Sequence, residues 1–128
     1  MYDQILHILR AVSWVSNLRI TELSVYGQRQ FRVRIRGDVR ESLTLQIWIN
    51  HNPMHTRYSY QLIGGGKPIL RWDNAPHHPE LEKNFPHHFH DHSGELSPSE
   101  LTGNPLQDVQ DVLGVIEVWV RERTEGQW

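Results

Sequence analysis

The sequence predicts an α+β fold: an antiparallel five-stranded meander sheet with an N-terminal and a C-terminal helix packed on one face. Three observations carry that expectation. Residues 31–36 read FRVRIR, apolar and arginine side chains in strict alternation, and the period of two returns over 43–50 and 56–63. Short, turn-rich links separate these runs, as between antiparallel neighbours. At both ends apolar residues recur every three or four positions, the spacing of a one-sided helix able to cover the apolar face of a sheet.

In chain order, a first helix over 2–16 follows from the stripe Ile5, Leu6, Leu9 and Val12, with Asp3 as an early cap. A β-branched stretch makes the first strand, about 18–26, closed by a tight turn at Gly27 and Gln28. In the second strand, about 30–36, Phe31, Val33 and Ile35 take the core face while Arg32, Arg34 and Arg36 take the wet one. The third, 43–50, sets Leu43, Leu45, Ile47 and Ile49 inward, leaving Thr44, Gln46, Trp48 and Asn50 opposite. The fourth, 56–63, opposes Tyr58, Tyr60 and Leu62 to Arg57, Ser59 and Gln61. Gly64, Gly65 and Gly66 make a hairpin turn into a last strand, 67–72, and a His/Pro loop runs over 73–103. Asn104 as N-cap and Pro105 at the first helical position open a helix over 105–122. Its stripe is Leu106, Val109, Val112, Leu113, Ile116, Trp119 and Val120, with Asp108, Asp111 and Glu117 off it and Gly114 a point of close packing on the sheet. The tail from Thr124 is expected to fray.

A chain of 128 residues fits a single domain, 1–128, that buries roughly two thirds of its unfolded surface. It has no cysteine, so any metal must sit on His, Asp or Glu. No apolar run approaches the roughly 20 residues that span a bilayer, and the N-terminus does not read as an export signal, so a soluble, cytoplasmic protein is expected. The net charge of −2 hides a segregation. Residues 1–71 hold ten Lys or Arg against four Asp or Glu, a net +6, and residues 72–128 hold three against eleven, a net −8. One face therefore suits an anionic partner, unless the halves neutralise each other in the fold.

Leu70 to His92 concentrates six of the nine histidines and three of the seven prolines. The prolines at 76, 79 and 86 exclude a long helix and an interior strand, so the stretch is expected to be loop, and its titratable density makes it the candidate site. In one reading, imidazoles remove a proton from a ribose 2′-hydroxyl and protonate the leaving oxygen of RNA, with no cofactor and no metal. The pool is His77, His78, His87, His88 and His90, with Asp73 or Glu80 orienting a ring. Arg57, Arg71 and the strand residues Arg32, Arg34, Arg36 and Trp48 would hold phosphates and bases. Two other readings stand beside it. The arginine face alone can make a non-enzymatic binding module for nucleic acid or protein. Alternatively, extended spacing points His88, His90 and His92 to one side, where Asp73, Glu80 or Asp91 could complete a metal-dependent hydrolase. A nucleotide-binding phosphate loop is not expected, since GGGKP leads into extended residues, and neither a nucleophile elbow nor His-Glu-x-x-His is present.

The string RWDNAPHHPEL followed by FPHHFH, Arg71 to about His90, resembles the TumE-type family of small toxins from prokaryotic toxin–antitoxin pairs. Arg71, Asp73, Asn74, His77, His78, Glu80, Pro86, His87, His88 and His90 match its motif. Where that family often carries a lysine this chain has Phe89, and Glu82, Lys83 and Asn84 lengthen the link between the two histidine groups. The resemblance implies a cytoplasmic toxin blocked by a cognate antitoxin, commonly one with a helix-turn-helix. The acidic second half leaves room for that antitoxin on the basic sheet or for a homodimer through the C-terminal helix.

Overall fold

The computed structural model describes residues 1–27 and 29–123; the turn expected at Gln28 and the tail from Thr124 lie outside the described residues. Nine elements follow in order: α1 (Tyr2–Arg10), β1 (Val15–Val25), β2 (Phe31–Val39), β3 (Leu43–Asn52), β4 (His55–Gly64), β5 (Lys67–Asp73), β6 (His88–His90), β7 (Leu96–Pro98) and α2 (Pro105–Arg123). The strands form one antiparallel sheet in sequence order, β1 to β7.

The α+β class and the terminal helices agree with expectation, but the sheet has seven strands and not five. The two extra strands lie inside the expected loop 73–103. The prolines are expected to exclude an interior strand, yet β6 is one: Pro76, Pro79 and Pro86 all precede it, and the residues after Pro86 suffice for a three-residue strand on the free edge of β5 and a second, β7, on the edge of β6. Asp91 closes the hairpin between them, its Oδ1 accepting from the Ser93 and Glu95 amides at 2.9 Å each and from the Ser93 hydroxyl at 2.6 Å.

The first helix stops at Arg10 and does not reach residue 16. Val12, Ser13, Trp14 and Val15 are weak helix formers, and Val15 is taken into the sheet opposite Val39. Asp3 is no cap: Met1 occupies that position without a side-chain bond. Asn104 does cap α2, accepting from the Leu106 amide at 3.1 Å. Two expectations for α2 change. Asp108 is fully buried and accepts from Thr102 and Gly103 at 2.7–2.9 Å, tying the preceding turn to the helix. Gly114 faces open space, so it makes no close approach to the sheet. The triple-glycine turn holds, with Gly65 and Gly66 at φ +61° and +75°, a left-handed pair that glycine adopts without strain.

One face of the sheet, carrying Val33, Ile35, Ile47, Ile49, Tyr60 and Leu62, packs with Ile5 and Leu9 of α1 and Val109, Val112 and Ile116 of α2 into a solvent-free core. Each aliphatic side chain so buried contributes about 1.5–3 kcal/mol. Both helices sit on that face, and the other lies open. No helix among the described residues is long and apolar enough to cross a membrane.

Candidate functional site

Residues directly opposite in an antiparallel ladder point to the same side, so pairing defines rows across the open face. One row runs Glu22, Arg34, Trp48, Ser59, Asp73, His88; the next runs Arg36, Gln46, Gln61, Arg71, His90. A third holds Arg32, Asn50 and Arg57. The arginine strands and the histidine segment thus present their polar side chains to one surface.

At the end of these rows stands Asp73, its side chain only 6% exposed. Its Oδ2 accepts from Arg71 Nε at 2.8 Å, and its Oδ1 accepts from the Ala75 amide at 3.0 Å and lies 2.9 Å from His88 Nε2. His90 Nε2 is 3.8 Å from Oδ2. The His88 ring is fixed from behind, because Nδ1–H donates to the Pro86 carbonyl at 3.0 Å. His78 comes in from the turn segment after β5, its Nδ1–H donating to Glu80 at 3.2 Å, and its ring meets those of His88 and His90 edge-on at 4.9 and 5.9 Å between centroids. These groups line an open cavity of about 610 Å³, with His77 also on its wall. Burial, and then repulsion from the neighbouring His88 imidazole, push the His90 imidazole below the usual histidine range against the pull of Asp73. A neutral ring is therefore available there near pH 7, able to take a proton or bind a cation.

Of the seven residues expected to supply acid, base and orientation, the fold brings together Asp73, His78, His88 and His90, with Glu80 behind His78. His77 is exposed and outside the ring cluster. His87 turns to the helix side of the sheet, where Nδ1 lies 2.7 Å from the Tyr58 hydroxyl and the two rings stack. His92 parts from His88 and His90 because β6 ends at His90; its ring lies 6.1 Å from that of Trp119 on α2. Phe89, between the two cluster histidines, points to the helix side against Trp72 at 4.8 Å. A lysine at that position would likewise belong to the face away from the cluster.

Among the expected phosphate holders, Arg71 is within the cluster and Arg34 and Trp48 share its row. Glu22 offsets part of the charge, 3.3 Å from Arg34 and 3.9 Å from Arg32, and Arg36 donates to Gln46 at 2.8 Å. The Nε–H groups of Arg32 and Arg57 are buried without a protein partner. Sequence reasoning missed the Pro86 carbonyl and the Ala75 amide, backbone groups that no side-chain pattern reveals. It also left Asn74 without a role: its side chain donates to the Thr56 carbonyl at 2.6 Å and accepts from the Tyr58 amide at 3.0 Å, extending the ladder where β5 ends.

Comparison with curated proteins and with solved structures gave no match. A profile of the family described as Toxin TumE matches residues 5–123, which takes in every strand of the sheet, the whole histidine segment and α2. The motif resemblance and this match over nearly the full length agree: the chain belongs to the TumE toxin family, the toxin component of a toxin–antitoxin system, with an antitoxin as its partner.

Proposed function

We propose that this toxin acts in the cytoplasm by cleaving RNA, with the Asp73, His78, His88 and His90 cluster as its reaction centre. The observation that carries the reading is the shared face: the ladder sets Arg34 and Trp48 in the row of Asp73 and His88, and Arg36 in the row of Arg71 and His90. A single strand laid across those rows has guanidinium groups for its phosphates, an indole on which a base can stack, and imidazoles where the backbone reaches β5 and β6. Arg71, held by Asp73 at 2.8 Å, is placed to offset charge gathering on the reacting phosphate.

The test is cleavage of RNA by the purified protein, compared with His88→Ala and His90→Ala at matched concentration and with circular dichroism to establish folding. General acid–base or electrostatic roles at such a centre predict losses of about 100-fold or more. Equal cleavage by both folded variants rejects the reaction centre. Undiminished growth arrest by variants that cleave nothing turns attention to the arginine face as a binding surface.

A further inference from the structure

The three rings of the cluster are arranged as ligands. His78, His88 and His90 each offer a ring nitrogen, and these nitrogens all lie within 4.8 Å of one another. Their planes stand at 72–75° to each other in every pair, so no two of the rings stack. Nitrogens bound to one tetrahedral ion at about 2.0–2.1 Å are roughly 3.4 Å apart, and rotation of the partly exposed His78 and His90 side chains closes the difference.

The hydrogen bonds behind the rings point the same way. A ligating histidine normally donates its other N–H to a carbonyl or carboxylate, which fixes the tautomer and turns a lone pair towards the metal. His88 does this to the Pro86 carbonyl at 3.0 Å and His78 to Glu80 at 3.2 Å. With Nδ1 engaged by that carbonyl, His88 turns Nε2 towards the cluster, 2.9 Å from Asp73 Oδ1. A ring nitrogen and a carboxylate oxygen this close share a cation. A proton is one answer, and an ion shared with His78 and His90 is the other.

We infer that His78, His88 and His90 bind one divalent transition-metal ion of the zinc type, with Glu80 and the Pro86 carbonyl as outer supports. The donor set is imidazole only, without thiolate, and it suits zinc while offering little to magnesium, which prefers oxygen. Three protein ligands at the wall of an open cavity leave a position for water or a phosphate oxygen, the pattern of catalytic and not of structural sites. Asp73, already engaged by Arg71 and the Ala75 amide, stands beside the ion and balances its charge. This deepens the RNA-directed reading of the same site and rests on it only for the ion's use in cleavage.

Binding is read without RNA. The untagged full chain, stripped with a chelator, is titrated with zinc chloride by calorimetry, and Co²⁺ is added separately to read its visible absorption. One ion per chain is expected, with a cobalt spectrum of four or five nitrogen and oxygen ligands. His78→Ala and His90→Ala should each weaken zinc binding by more than about 100-fold, and Glu80→Ala by about 10-fold, while His55→Ala, at the exposed first residue of β4, binds as the parent does. No saturable zinc uptake by the folded parent overturns the assignment, even if that protein cuts RNA. So does affinity unchanged in both ligand variants, or lowered equally by His55→Ala. Stoichiometric zinc lost in His78→Ala and His90→Ala, with circular dichroism unchanged, upholds it even if RNA is left intact.

Discussion

His87 and His88 are chain neighbours on opposite sides of the sheet, and the two sides make different use of the same side chain. On the covered side His87 stacks on Tyr58 and meets its hydroxyl at 2.7 Å. Burial holds the His87 imidazole below its usual range, and burial, with the fields of Asp108 and Asp73, pushes the Tyr58 hydroxyl far above its own. Both groups stay neutral, as packing elements with one hydrogen bond between them. On the open side the His88 side chain is only 3% exposed, but its partners are a carboxylate and two further imidazoles at the wall of a cavity. Burial alone does not separate the two histidines. What separates them is the charge gathered on one side at the wall of a cavity.

That contrast can be broken most forcefully at Asp73. Replacing it by Ala leaves His88 and Arg71 without their anion, which should lower stability by about 3 kcal/mol in urea unfolding and abolish RNA cleavage. Next comes Phe89→Ala, which removes the packing on Trp72 that seats β6. A loss of about 2 kcal/mol is expected, together with weaker cleavage although no polar group has been touched. His87→Ala inverts the pattern: stability falls by about 1 kcal/mol as Tyr58 loses its partner, and the cleavage rate stays with the wild type. The smallest effect belongs to Arg34→Ala with Arg36→Ala, far from the cluster in the same rows. RNA binding should weaken with turnover at saturation unchanged, and its salt dependence should flatten by about 0.7 in log–log slope for each phosphate that is no longer neutralised.

Much of the scaffold is legible from alternation, because FRVRIR and its successors assign residues 31–36, 43–50 and 57–62 to the correct faces of β2, β3 and β4. The same logic fails where elements are short. Three-residue strands such as β6 carry no period of their own, and the prolines that rightly exclude a helix hide a hairpin that needs only the edge of β5. Six histidines can therefore be pooled from the sequence but not sorted, since the sorting is done by pairing: His88 opposite Asp73, His90 opposite Arg71. His78 reaches the cluster through a turn conformation that no spacing rule predicts. Helix α1 is shorter than its apolar stripe for a related reason, Val12 fitting the helical spacing while the sheet claims the chain from Val15 onward.

Phe89 pairs with Trp72 across the β5–β6 ladder, and its side chain lies on the far side of the sheet from the histidines that flank it. Side chains alternate, so sliding β6 by a single residue would carry Phe89 out to solvent and turn His88 and His90 in against the indole. The aromatic contact thus acts as a detent for the strand: it admits one position, in which every cluster imidazole faces outward, and penalises the next. A ligand that pried the β6–β7 hairpin from its edge would disperse the cluster without covering it.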